Sequence, residues 1–230
     1  MDKVYKKLDA LLKKHKSVLS CIDEVENLKE TLSGEELTKF VNTVRGIVQE
    51  EAKQAVIKNN GGMIAMATGS GKSRVAVELA KYYINSVDKS LSLIVPTEKL
   101  RDENWKEEYS KWNADYLWTP TIRLCYASAS KIQNKDFELA ILDEGHNITE
   151  LSSEFFSNNK VERTVLLTAT PPSDPIKKEI LKSLGIKLVY EVTLDQAVRL
   201  GFVAPYKITV VSVALDNKTK NIPGGTKLKP

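Results

Sequence analysis

The sequence predicts an α/β domain built on a mainly parallel sheet flanked by helices. Three observations predict it. From residue 63 onward, short apolar runs of strand length alternate with stretches of helical period. The strand runs are apolar almost throughout, as in strands covered on both faces. They end in polar or glycine-containing clusters, and α/β sheets collect their ligands at strand carboxyl ends.

Composition sets the outer bounds. The chain has 230 residues, 42% hydrophobic and 28% charged, enough to bury one sizeable core with material left over. No apolar run approaches the length of a membrane span. The lysine-rich start lacks the apolar centre of a signal peptide, so the expected location is intracellular. Cys21 and Cys125 form no C-x-x-C pair and read as reduced thiols. With two histidines and no Cys/His cluster, a dedicated metal cage is not expected. Six lysines against two aspartates in residues 1–17 account for the whole net charge of +4. A surface for nucleic acid would therefore have to be local.

Residues 1–32 read as one long helix. Val4, Leu8, Leu11, His15, Val18, Ile22, Val25 and Leu32 recur at spacings of mostly three and four. That helix either packs on the core or a neighbour, or serves as a DNA-contacting or oligomerising appendage. Ser33 and Glu36 have capping-box spacing for a second helix through Leu37, Phe40, Val41 and Val44. Gly46 marks a bend. Residues 49–57 form a further helix, which feeds the turn at 59–62. Strands are expected at 63–67, 91–95, 122–126, 137–142, 165–167, 187–190 and 206–215. Helices are expected at 72–85, around Leu100, Trp105 and Tyr109, and at 176–184 and 193–200.

The first strand runs into Thr68-Gly69-Ser70-Gly71-Lys72-Ser73. Strand, glycine-rich turn and helix start together make a phosphate site, because turn and first-turn N–H groups point inward. Lys72 would reach phosphate oxygens, and the Ser73 hydroxyl would sit on Mg²⁺. The strict G-x-x-x-x-G-K-[ST] pattern would place a glycine at Met66, so a plain strand–turn–helix is the alternative. Asp143 and Glu144 follow the apolar residues 139–142. Adjacent residues at a strand end point in different directions, so one carboxylate can face a metal and the other a water. Asp143 is then the Mg²⁺ ligand and Glu144 the group that orients or deprotonates water. A solvated acidic turn is the alternative. His146 sits two residues on, and Thr168 and Thr170 offer hydroxyls on the same rim. Trp105 reads as core, whereas Trp112 and Trp118 are either core or platforms for a base.

These clusters resemble, in order and spacing, motifs I, Ia, II and III of superfamily-two helicases and translocases: residues 67–73, Pro96-Thr97, Asp143-Glu144-Gly145-His146 and Thr168-Ala169-Thr170. The resemblance implies a RecA-like ATPase lobe over residues 46–215, after an N-terminal helical extension at 1–45. A polar linker or frayed end is expected at 216–230. It implies ATP and Mg as cofactors and a nucleic-acid-stimulated ATPase. Gln49 would read the adenine, and Thr68, Gly69, Ser70, Gly71, Lys72 and Ser73 would cradle phosphate. Glu144 would be the catalytic base. His146, Thr168 and Thr170 would couple nucleotide state to nucleic acid. Pro96, Thr97 and Ser128 would touch the sugar-phosphate backbone. The Asp-Glu-Gly-His form resembles DNA-acting helicases, restriction translocases and phage or viral helicases, so DNA is expected rather than RNA. The family also needs a second RecA-like lobe, in the same longer chain or in trans. A one-lobe nucleotide switch or scaffold without unwinding is the alternative.

Overall fold

The computed structural model describes residues 2–86, 89–207 and 209. Helices α1 (Asp2–His15), α2 (Ile22–Glu30) and α3 (Gly34–Asn59) precede β1 (Gly62–Met66) and α4 (Lys72–Tyr83). Next come β2 (Leu91–Val95), a π-helical turn at Leu100–Asn104, α5 (Trp105–Lys111), α6 (Asp115–Trp118) and β3 (Ile122–Cys125). Then follow β4 (Asp136–Phe137), β5 (Leu139–Leu142), α7 (Glu150–Asn158), β6 (Lys160–Val161) and β7 (Thr164–Thr168). The described elements close with α8 (Pro175–Ser183), β8 (Leu188–Val192) and α9 (Leu194–Arg199).

Six strands form one sheet in the order β3-β2-β5-β7-β1-β8, and every pairing is parallel. The expected fold class is therefore the observed one. Period-two alternation divides the four central strands between two cores. Ile64, Leu93, Val95, Ile141, Val165 and Leu167 face the core built with α3 and α4. Met63, Ile94, Ala140, Leu142 and Leu166 face the core that holds Phe155, Ile180 and Leu181. Burial on both faces explains why the strand sequences are apolar without alternating.

The N-terminal segment departs from the expected single helix. The chain breaks after α1, where Lys16 takes a left-handed φ of 67°. The Ser20 hydroxyl donates to the carbonyl of His15 at 2.7 Å, and the Ser20 N–H donates to the Ser17 hydroxyl at 3.2 Å. Serine side chains here supply the backbone with partners a helix cannot. The apolar period runs unbroken across the kink, which is why spacing alone did not mark it. Leu8, Val18 and Val25 pack in the same core as α3, and Glu51 ties the region to β8. Its carboxylate accepts from the Val18 N–H and the Tyr190 hydroxyl, both at 2.8 Å.

Two further corrections concern boundaries. The bend expected at Gly46 is absent: α3 runs straight through it, because Val44 and Val48 keep one buried face. Positions 45 and 46 thus lie inside one helix. The strand expected at 137–142 is split. Phe137 pairs with Val161 in a separate two-stranded sheet, and β5 begins at Leu139. The strand expected at 206–215 lies almost wholly outside the described residues, as does the segment 216–230. No helix among the described residues is long and apolar enough to cross a membrane.

A methyl group added at Gly46 would meet nothing within 4 Å. Gly46→Ala is expected to stabilise the protein by about 0.5–1 kcal/mol, read as a shift in urea midpoint at constant slope.

Candidate nucleotide and nucleic-acid site

The carboxyl ends of the parallel strands lie on one rim, and every predicted cluster is found there. Along the rim run Ser128 after β3, Pro96 and Thr97 after β2, Asp143 to His146 after β5, and Thr168 and Thr170 at β7. The glycine loop after β1 completes the row. Adjacent strands lie roughly 4.8 Å apart, so β7 alone separates the loop from the acidic pair.

The loop owes its shape to two left-handed glycines, Gly69 at φ 86° and Gly71 at φ 87°. Gly71 stands at the N-cap of α4 and carries no side-chain oxygen, so the first-turn N–H groups are left uncapped. Ser70 is fully buried, and its hydroxyl has no hydrogen-bond partner. Thr68 and Gly69 are exposed. Lys72 is only 8% exposed, and its ammonium donates to the Met66 carbonyl at 2.9 Å. Burial pushes its pKa down, while Glu144 and Asp143 pull it back up. Those two carboxylates therefore lie within electrostatic reach of Lys72. Ser73 follows at the second position of α4.

Asp143 is held from two sides. Its Oδ2 accepts from the Trp105 indole N–H at 2.9 Å, and its Oδ1 accepts from the Glu144 N–H at 3.0 Å. Burial, then the charge of Glu144, raises its pKa, against the hydrogen bond from Trp105. Trp105 is 2% exposed, as a core residue would be. Sequence reading missed its second role, because the partner lies 38 residues away. A π-helical turn, Leu100–Asn104, immediately precedes Trp105.

Glu144 adopts a left-handed conformation with φ 48°. His146 Nδ1 lies 3.4 Å from both Glu144 Oε2 and Thr168 Oγ1. The Thr168 hydroxyl already donates to the Thr170 carbonyl at 2.7 Å, so it can only accept from His146. The Asn147 amide lies 3.3 Å from Nε2 and donates there. Both relations place the ring proton on Nδ1. Base candidate, histidine and threonine thus form one chain from β5 to β7. Thr170 joins it through its backbone: its carbonyl accepts from Thr168, and its N–H donates to the Thr168 hydroxyl at 3.3 Å.

Gln49 lies against the loop, 6% exposed, and donates from Nε2 to the Ser70 carbonyl at 3.0 Å. Thr97 is exposed, and its hydroxyl accepts from the Leu100 N–H at 3.3 Å. Ser128 donates to the Cys125 carbonyl at 3.1 Å. Trp112 and Trp118 each present a ring face to a guanidinium, with Arg74 and Arg123 at 4.5 and 4.3 Å from the centroids. A cavity of about 230 Å³ lined by Lys89, Glu138 and Arg163 lies at the opposite rim, away from these groups.

The family of the Type III restriction enzyme res subunit matches residues 42–122. The DNA 3'-5' translocase XPB2 of Sulfurisphaera tokodaii is 27% identical over 198 residues, covering 79% of this chain and 43% of that protein. The chain thus spans less than half the length of this curated relative. Among solved structures, the UvsW helicase of bacteriophage T4 superposes with a TM-score of 0.53 at 18% identity, over 64% of this chain and 58% of that one. A nuclease-deletion mutant of the Type ISP restriction-modification enzyme LlaGI gives 0.50 at 16% identity, over 67% and 20%. At these identities the two structures speak for the fold.

Trp105→Phe keeps the ring in the core but removes the donor to Asp143. The folded pKa of Asp143 lies above its unfolded value, so its favourable contribution is present at low pH and lost as pH rises through the folded pKa. In metal-free protein the variant is expected to lose about 1–3 kcal/mol in urea unfolding at about pH 8, and less where the carboxyl is protonated. In motif order, in the family matched by residues 42–122 and in sheet topology, the chain is similar to the first RecA-like lobe of superfamily-two helicases and translocases.

Proposed function

We propose that this lobe binds and hydrolyses Mg-ATP as half of a DNA-dependent helicase or translocase. The observation that carries the reading is buried Lys72 on the same rim as the Asp143–Glu144 pair, with β7 alone between their strands. The fit to a nucleotide rests on three features of the chain itself. The loop leaves a buried serine hydroxyl unpartnered, its glycines keep the backbone clear of Cβ atoms, and Asp143 is buried beside another carboxylate. A divalent cation would favour the ionised form of that aspartate. When bound, magnesium would supply Lewis-acid neutralisation of the phosphate oxygens.

In this reading Lys72 and the loop N–H groups hold phosphate, and the Ser73 hydroxyl and Asp143 carboxylate are the metal ligands. Glu144 accepts the proton of the attacking water. His146 hydrogen-bonds Thr168 and lies 3.4 Å from the Glu144 carboxylate, so a shift of β7 would move the base. Gln49 faces the purine. Thr68 and Gly69 are exposed beside the phosphate position. Pro96 and Thr97 lie three strands from the loop and Ser128 four, where a backbone strand can pass without meeting the nucleotide. In this reading residues 46–215 are the working lobe, and α1 and α2 of the extension at 1–45 brace α3. DNA is preferred over RNA because the relatives named above include a DNA translocase and an enzyme solved with a DNA substrate mimic. A second RecA-like lobe completes the site.

ATP turnover by the full-length protein, with single-stranded DNA, duplex DNA and RNA compared, tests the reading. Stimulation is expected from DNA. Lys72→Ala is expected to abolish nucleotide binding or turnover. Glu144→Gln is expected to keep ATP binding and lower kcat by about 10²–10⁴-fold. Wild-type turnover by Glu144→Gln would remove Glu144 as the base.

A further inference from the structure

We propose that Arg74 is a positioning residue for base selection, fixing which end of the Gln49 amide an incoming purine meets. The inference rests on the ATPase reading above. Gln49 is gripped at both ends of its amide. Its Oε1 accepts from Arg74 Nη1 at 2.9 Å, and its Nε2 donates to the Ser70 carbonyl at 3.0 Å. Chemistry alone settles the sense of that amide. A guanidinium can only donate and a carbonyl can only accept. Turning the amide over would break both bonds at once.

The grip leaves one lone pair on Oε1 and one proton on Nε2. That is one acceptor beside one donor. Adenine presents the complement along its N6/N7 edge, a donor beside an acceptor. Guanine presents two acceptors there, O6 and N7. An amide locked by Arg74 therefore suits adenine and opposes guanine. An amide released from Arg74 can swing its NH₂ group round and serve either base.

Arg74 is well placed to act as the lock. It follows Ser73 in the first turn of α4, so its backbone moves with the phosphate loop. Its guanidinium lies over the Trp112 ring at 4.5 Å from the centroid, and the Trp112 indole donates to Glu108 Oε2 at 3.0 Å. A planar cation stacked on a fixed ring loses little further freedom on holding the amide. Gly71 leaves the space the amide occupies, because a Cβ there would lie 2.2 Å from Gln49 Nε2.

Arg74→Met retains chain length and apolar contact with Trp112 but cannot donate; Arg74→Lys restores a donor. Steady-state kinetics of the full-length protein with ATP and GTP, together with inhibition by inorganic tripolyphosphate, test the role. The methionine variant is expected to raise KM for ATP about tenfold, hold kcat within about twofold, and narrow the ATP-over-GTP preference about tenfold. Tripolyphosphate inhibition is expected to stay unchanged, and the lysine variant to recover part of the preference. Equal loss of kcat/KM for both nucleotides would overturn the inference, since damaged folding acts on both alike. A wild type that binds tripolyphosphate but does not distinguish ATP from GTP would overturn it alone. A wild type that binds neither ATP nor tripolyphosphate would overturn the ATPase reading and this inference with it.

Discussion

A nearly buried ammonium sets the terms for this molecule. Lys72 reaches the sheet rim at 8% exposure, where an uncompensated charge would be costly. Its partners are the Met66 carbonyl and, at longer range, two carboxylates on another strand. Neither partner is local in the way a helix or hairpin supplies one. Met66 lies at the end of β1, and the carboxylates reach Lys72 only because β5 lies one strand beyond. The parallel register of β1, β7 and β5 is thus what makes the charge tolerable. Loss of that register would strand a lysine and two acids in a low-dielectric rim together.

The same register gathers the remaining chemistry. Ala65 pairs with Thr168, Leu142 with Leu166, and Ile94 with Leu142. Strands aligned in this way deliver their following residues to one level. Glu144, His146 and Thr168 meet within hydrogen-bond reach, although they come from segments 22 to 24 residues apart. Trp105 arrives from the helix beyond β2 to hold Asp143. Asp143 and His146 are thereby each held by a residue from a different element, a requirement for precise positioning.

Much of this was legible in the sequence, and the reason is physical. Apolar runs of four or five residues that end in glycine or acid are local signals, so the six main strands and the glycine loop could be read off. The rim followed from strands of one direction. What escaped depends on partners distant in sequence or on backbone chemistry that leaves the apolar period intact. The break at Lys16 hides within a continuous apolar stripe and shows only in its serines. Gly46 looked like a bend, yet Val44 and Val48 keep the helix in phase across it. Phe137 looked continuous with β5 until Val161 claimed it. Trp105 read as packing and Arg74 carried no signal at all, because nothing near them in sequence names Asp143 or Gln49.

Backbone strain divides the two rims in an informative way. At the amino end, Gly61 and Gly62 both take φ of 125°, and a Cβ would fall 2.8 Å from the Thr164 carbonyl oxygen and 2.6 Å from Val189 Cγ1, respectively, so glycine there serves strand packing. At the carboxyl end a non-glycine residue, Glu144, takes φ 48° and ψ 54°, at a cost of about 1–3 kcal/mol. Such a pose persists only when its surroundings over-determine it, and here they do. Its N–H donates to Asp143, and its carbonyl accepts from both the backbone and the side chain of Asn147 at 2.9 Å. The next residue must be glycine, because a Cβ at Gly145 would fall 2.1 Å from Leu166. The turn is therefore pinned against β7 beneath the base candidate. The strained carboxylate is held toward the rim in advance, and the strand it is pinned to is the one that carries Thr168.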